Sequence, residues 1–193
     1  MIPKVVFVKK KSTEHALLDI FNQVDTNMGA ELYSCGIFID LRKAFDTVDH
    51  QISLSKLHHY WVQGTTNHWF SSYLLGHQQT TQIGGNNTSK KETILSGVLQ
   101  GSVLGPLLFL IYENDISNSA GQLKFSLFAD DTHMLYADRN LKSLETMVNG
   151  ELFNLYDWLT AMKLPLNIKK SNFVIFRPIQ KLSLIHIWRC RRS

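Results

Sequence analysis

Residues 123–137 read LKFSLFADDTHMLYA. Apolar and aromatic residues fill both flanks, Leu123 to Ala129 and Thr132 to Ala137, and two aspartates, Asp130 and Asp131, stand between them. Flanks of this length and composition predict two strands, and the short polar joint predicts that they fold back as a hairpin. Adjacent carboxylates repel, and the cost rises as the dielectric falls. The pair therefore either calls for a cation or marks a turn in which aspartate bonds its own backbone.

Around this hairpin, strands and helices interleave. Ser34 to Ile39 sets Ile37, Phe38 and Ile39 side by side, as in a buried strand, and delivers Asp40 at its end. Gln78 to Ile83 and Glu92 to Leu95 flank Gly84-Gly85-Asn86-Asn87, residues that tolerate positive φ, and predict a second hairpin. Leu166 to Ile168 and Asn172 to Phe176 predict a last pair of short strands. Ser12 or Thr13 is placed to cap a helix carrying Leu17, Ile20, Val24 and Met28 at three- and four-residue steps, with Gly29 ending it. Asp49 is placed to cap a helix with Ile52, Lys56, Leu57 and Tyr60, and Gly64 separates it from one with Trp69, Phe70, Tyr73 and Leu74. The apolar run from Val103 to Tyr112 predicts a buried helix. Leu141, Leu144, Val148, Leu152, Leu155 and Leu159 predict the longest one. Strand pairs joined as hairpins rather than crossovers make the fold class α+β, with a mainly antiparallel sheet.

With 193 residues, 44% of them hydrophobic, the chain suits one globular domain or a fragment of a larger one, and its composition excludes disorder. Its longest apolar run has ten residues, half of the roughly 20 that span a bilayer. The N-terminus lacks the apolar core of a signal peptide. The expectation is an intracellular protein, nuclear or cytoplasmic, without a membrane partner. Cys35 and Cys190 alone exclude a disulfide scaffold and a four-cysteine zinc site. The formal charge is +4, from 20 basic and 16 acidic residues. Setting aside Arg189, Arg191 and Arg192 leaves 17 basic residues, and setting aside Lys4, Lys9, Lys10 and Lys11 leaves 13. Residues 12–181 thus carry −3. An affinity for nucleic acid would rest on placed groups rather than on bulk charge.

Those groups are Asp40, Asp130 and Asp131. Should Asp40 lie beside the hairpin, the three carboxylates suit two magnesium ions, which take few carboxylates, keep waters and bind substrate phosphates. Asp46 and Asp49 read as solvated or capping residues. Gly97, Gly101 and Gly105, four apart around Gln100, either let a ligand approach the backbone or form a turn into the helix. Lys169-Lys170 reads as phosphate contact or solvated surface, and Phe45 as pocket wall or core. His58-His59 reads as surface, and Lys9-Lys10-Lys11 as backbone contact or an exposed end.

Four segments together resemble a known family. Residues 36–50, GIFIDLRKAFDTVDH, resemble the first catalytic motif of reverse transcriptases from non-LTR (LINE-type) retrotransposons. Residues 99–106, LQGSVLGP, resemble the second; Phe128-Ala129-Asp130-Asp131 the third; residues 166–171, LNIKKS, the fourth. Order and spacing match, and the similarity runs from about Phe7 to Lys181. The resemblance implies a right-hand polymerase palm: an antiparallel sheet backed by helices, spanning about residues 36–181, with a fingers remnant over about 1–35 and no thumb. It implies RNA-directed DNA polymerase activity on an RNA or DNA template with a primer 3′ end, using deoxynucleoside triphosphates and two Mg2+ ions, for which Mn2+ substitutes. Asp40 and Asp130 would bind the metals, Asp131 would complete the cluster, and the Leu41 carbonyl would add a contact. Phe45 would exclude a 2′-hydroxyl. Ala44 and Gln100 would border the incoming nucleotide, and Gly101 would allow its approach. Lys170 would protonate the leaving pyrophosphate.

Departures accompany the match. Leu99 stands where the family usually has proline, Trp61 where it has glycine, Met162 where it has asparagine and Val8 where it tends to be basic. Further fingers segments, a thumb and an endonuclease domain would belong to the parent polyprotein. Residues 182–193, LSLIHIWRCRRS, read as translated adapter or vector sequence. The alternatives are a catalytically dead retroelement remnant and a metal-dependent nuclease.

Overall fold

The computed structural model describes residues 13–84, 87–99, 101–128 and 131–178. Asp130, Gln100, the Gly85-Asn86 turn, Lys9 to Lys11, Val8 and the segment 182–193 lie outside the described residues.

The chain opens with α1 (Thr13–Gly29) and β1 (Tyr33–Ile39), followed by a 3₁₀ turn (Ala44–Thr47), α2 (His50–His59) and α3 (Gly64–Leu74). Four two-residue strands come next: β2 (Gln78–Gln79), β3 (Gln82–Ile83), β4 (Asn87–Thr88) and β5 (Glu92–Thr93). Then follow α4 (Leu104–Glu113), a 3₁₀ turn (Ile116–Asn118), β6 (Lys124–Phe128), β7 (Asp131–Asp138), α5 (Leu141–Ala161) and β8 (Asn172–Phe176). The larger sheet has the order β6-β7-β1-β8, and all its pairs are antiparallel. No helix of the described residues is long and apolar enough to cross a membrane.

Side chains alternate across β1. Cys35, Ile37 and Ile39 point into the core, which also holds Leu108, Phe109 and Tyr112 of α4 and Leu144, Val148, Leu155 and Leu159 of α5. Burial raises the pKa of the free Cys35 thiol. Lys56 ties three helices together. It pairs with Asp115 at 2.5 Å, bonds the Tyr112 carbonyl and lies 5.1 Å from the centre of the Trp158 ring. Burial lowers its pKa, against the pull of Asp115. The other face of β1 carries Ser34, Gly36, Phe38 and Asp40. There α1 covers the Ser34 end, with Asn27 Nδ2 donating to Ser34 Oγ at 3.0 Å.

The 123–137 hairpin forms as expected, as do the helices. Asp49 caps α2, its carboxylate accepting from the N–H groups of Gln51 at 2.9 Å and Ile52 at 3.0 Å. Two expectations are corrected. Leu166–Ile168 is no strand: Leu166 makes a single bridge with Leu41, and β8 pairs with β1 instead. The second hairpin is broken into two-residue ladders, β2 with β5 and β3 with β4. Ile83 and Leu95 on it are exposed, so no buried face holds a longer register. α1 ends at Gly29, as expected, and the left-handed residue that closes it follows. That residue is Glu31, at φ 59°, with Leu32 N–H donating to Asn27 O at 2.9 Å.

Candidate active site

β1 ends between β7 and β8. Its register with β7 runs from Tyr33↔Asp138 to Ile39↔Thr132. Continued by one residue, it sets Asp40 against Asp131. Since partners across a ladder share a face, both carboxylates belong to the face opposite the core. Ile39 and Thr132, one step back, are buried on the core side. Asp40 is half-buried and Asp131 exposed. Behind them Phe38 and His133 meet edge to face, 5.2 Å between centroids. Burial lowers the His133 pKa against the opposing pull of Asp131.

A turn grips Asp40 from the β8 side. Asn167 N–H donates to the Asp40 carbonyl at 2.9 Å, and Arg42 N–H donates to the Pro165 carbonyl at 2.9 Å. These two bonds flank the Leu41–Leu166 bridge, so the Leu41 carbonyl faces away from Leu166, toward the β7 side. Asn167 Nδ2 donates to Asp40 Oδ2 at 2.7 Å, and Asp40 N–H donates to Ser171 Oγ at 3.2 Å. The turn closes on itself through Lys170 N–H and Ser171 N–H, both donating to Asn167 O. Lys170, exposed, sits in this turn.

The segment after Asp40 is stitched to the loop before α4. Gly97 N–H donates to Val48 O at 2.7 Å, Val98 N–H to Phe45 O at 2.8 Å and Ser96 Oγ to Asp46 O at 3.2 Å. His50 Nε2 meets Gly97 O at 2.8 Å. A side chain on Gly97 would put its Cβ 2.9 Å from Asp46 Cα, and one on Gly105 would come 2.7 Å from Leu99 O. Gly101 differs. Its φ is +84° and nothing lies within 4 Å of where a Cβ would stand. Two of the three glycines thus serve the protein's own packing, and Gly101 alone leaves its approach open. Ser102 Oγ accepts from Gly105 N–H at 2.9 Å and caps the first turn of α4.

Ala44 is buried in the core, so its methyl offers no surface, and Phe45 is half-buried with its ring tilted 4.8 Å from that of Phe109. Asp46, His58, His59, Lys169 and Lys170 are exposed. The fold therefore gathers Asp40, Leu41 and Asp131 at one place and hangs Lys170 on the adjoining turn. Phe45 and Gly101 belong to a second, stitched unit. Sequence reasoning assigned no role to Asn167, Ser171 or His50, although each stands inside or beside a quoted segment.

Hard carboxylate oxygens on one sheet face, with the Leu41 carbonyl turned toward the neighbouring β7, suit a small divalent cation that keeps part of its water shell. Among the described residues no three His, Cys, Asp or Glu side chains are placed to hold a metal ion; Asp130, the neighbour of Asp131, is outside them.

The sequence matches the family described as reverse transcriptase (RNA-dependent DNA polymerase) over residues 3–186. It is 28% identical over 168 residues to a probable RNA-directed DNA polymerase from transposon X-element of Drosophila melanogaster, covering 85% of this chain and 18% of that one. It is 26% identical to the RNA-directed DNA polymerase from mobile element jockey of the same species, over 75% of this chain and 16% of the relative. The Pol polyprotein from retrotransposable element R2 of Popillia japonica is 25% identical over 70% of this chain and 20% of its own length. The chain thus spans about a fifth of these relatives or less. Among solved structures, apo telomerase from Candida tropicalis aligns with a TM-score of 0.66 at 11% identity, over 86% of this chain and 36% of that one. Telomerase from Candida albicans, in complex with a fragment of telomeric RNA, gives 0.57 at 12%, over 84% and 30%. The shared fold is the polymerase palm, a mixed α and antiparallel β architecture.

Proposed function

The chain belongs to the reverse transcriptase family, and from that premise we propose that it is the palm region of a retrotransposon RNA-directed DNA polymerase. Its reaction would extend a primer 3′-hydroxyl on an RNA or DNA template with deoxynucleoside triphosphates. What supports this reading is the register of β1 with β7, which, continued one residue past Ile39↔Thr132, sets Asp40 opposite Asp131 on the sheet face away from α4 and α5. Phosphoryl transfer asks of a protein mainly positioning and charge compensation, and rigid strand ends supply positioning.

Asp40, Asp131 and Asp130, with the Leu41 carbonyl, would hold two Mg2+ ions. Such ions activate the primer hydroxyl and neutralise charge on the departing pyrophosphate. Lys170 would give its proton to the pyrophosphate from the turn beside Asp40. Gly101, with its open approach, would receive the incoming nucleotide next to Gln100, and Phe45 would stand where a 2′-hydroxyl must be refused. The buried Ala44 would border the nucleotide through its backbone alone. Fingers, thumb and further domains of the longer protein would bind the primer–template, since backbone contacts supply much of the affinity for nucleic acid.

The test is primer extension by the purified chain with Mg2+ or Mn2+, beside Asp40→Asn and Asp131→Asn. Weak templated extension that both substitutions abolish is the expected result. Extension that survives Asp40→Asn would overturn the assignment, and cleavage of nucleic acid without added nucleotides would favour the nuclease alternative.

A further inference from the structure

Given a cation held by Asp40, as proposed above, we propose that Asn167 is the positioning residue that fixes the Asp40 carboxylate for it. A carboxylate at the end of a strand has its own χ angles to settle. Here the Asn167 amide takes one oxygen, Oδ2, at 2.7 Å and leaves the second for a ligand. Bonds from neutral donors to ionised acceptors are short and strong, and carboxylate ligands of metals are typically oriented by such partners.

Asparagine at the start of a turn ordinarily spends its side chain on its own backbone two residues on. Asn167 does not. Its side chain reaches Asp40, 127 positions away in sequence, while Ser171 Oγ donates to the Asn167 carbonyl at 2.9 Å. The amide is therefore held from behind and aimed at the carboxylate. Its chemistry is also selective. A carboxylate at this position would repel Asp40, and a cationic side chain would compete with a metal for it. A neutral donor orients the group and leaves its charge available. The same turn carries Lys170, so one backbone loop sets both the carboxylate and the reach of the lysine.

Mn2+ binding to the full chain, followed by the electron paramagnetic resonance of free Mn2+, reads this without depending on catalysis. Asp40→Asn serves as the reference, and near-UV circular dichroism checks the fold of each variant. Asn167→Ala should weaken Mn2+ binding about tenfold, the lower end of the range for partners of metal ligands. Asn167→Ser, whose hydroxyl suits the turn but is too short to reach Oδ2, should lose as much. Ser171→Ala, which loosens the turn but leaves the amide–carboxylate bond, should lose only about two- to threefold, whereas a merely structural role would make the variants alike. Should Asp40→Asn bind Mn2+ as the parent does, or the parent not at all, the metal assignment itself falls. Should Asp40→Asn weaken binding while the Asn167 variants do not, only the role of Asn167 is overturned.

Discussion

His50 donates through Nε2–H to the carbonyl of Gly97 at 2.8 Å, so a buried side chain at the start of α2 holds the backbone of the loop that leads into α4. The carbonyl can only accept, which fixes which ring nitrogen carries the proton. Replacing His50 by alanine removes the donor and opens a cavity in the seam between the two segments. The expected loss is about 2 kcal/mol of stability, the range for stranding a buried polar group. His50→Gln, which can restore an N–H near the same place, should recover part of it. Chemical denaturation of the three proteins checks this; equal stability of His50→Ala and the parent would show that the bond carries nothing.

Gly97 and Gly101 separate under the same substitution. Alanine at 97 meets Asp46 backbone at 2.9 Å and a φ of +93° together, with backbone rather than a flexible side chain as the obstacle. Gly97→Ala should cost roughly 3 kcal/mol or more, strain and clash combined. Gly101→Ala meets only the strain of φ +84° and should cost about 1 kcal/mol. Its larger effect should fall on nucleotide affinity, as a raised KM in primer extension. Equal losses of melting temperature for the two would contradict the division between packing and approach.

What the sequence made legible was local. The Asp49 cap, the apolar run of α4, the leucine ladder of α5 and the 123–137 hairpin all depend on neighbours within a few residues. The central place of β1 does not, because its partners Thr132 to Asp138 lie about 100 residues on and Asn172 to Phe176 about 140. Leu166–Ile168 resembled a strand in composition but is held by the ends of Asp40 and Arg42, which single out one bridge. Asn167 lay inside that expected strand, and its side-chain partner is 127 positions away. For Gly97, the sequence suggested a turn and could not reveal that Asp46 is what forbids a side chain. Asp40 and Asp131 stood out by their places beside apolar runs, and the motif resemblance gave them and Lys170 their expected roles; that β1 and β7 pair, and so bring the two aspartates' segments side by side, was not legible locally.

Trp61 occupies the left-handed position that closes α2, at φ 67°, with its side chain 86% exposed. Val62 N–H donates to Leu57 O at 3.0 Å and Trp61 N–H to His58 O at 3.1 Å, the paired bonds of a glycine-type C-cap. That geometry accounts for the glycine usual at this position. A non-glycine residue there costs about 1–2 kcal/mol, partly offset by the greater unfolded-state entropy of glycine. Trp61→Gly should therefore stabilise the chain by about 0.5–1 kcal/mol in denaturant titrations. Lys163→Gly, at φ 56° after α5, should gain less, because it also deletes the ion pair with Asp49 at 2.6 Å.

Asp49 sets an acid-limb prediction. The Lys163 ammonium first, and then the Ile52 N–H, hold its carboxyl below the usual carboxylate range. The folded chain thus binds this proton less readily than the unfolded chain. Its contribution is fully present above the unfolded carboxylate pKa and is lost as pH falls through the lower folded value. Asp49→Asn keeps the cap but not the charge, so its stability should fall less steeply below about pH 4 than the parent's. At neutral pH the two should differ by under about 1 kcal/mol, since Lys163 is largely exposed and solvent screens the pair. Parallel acid-limb profiles would remove Asp49 from the account.

Phe45 offers two separable consequences. Its ring is half-buried and tilted against Phe109, so truncation to alanine should cost about 1–2 kcal/mol, below the range for fully buried phenylalanine. A purely structural residue would show that loss alone. As the residue that refuses a 2′-hydroxyl, Phe45 should also govern sugar selection. Phe45→Ala should then raise ribonucleotide incorporation relative to deoxynucleotide by at least about tenfold, the effect of roughly 1.4 kcal/mol in the transition state. Phe45→Tyr should preserve both stability and selection, because bulk rather than apolarity does the excluding. Ribonucleotide and deoxynucleotide kcat/KM for the three proteins decide it: a stability loss with unchanged selection would return Phe45 to the core.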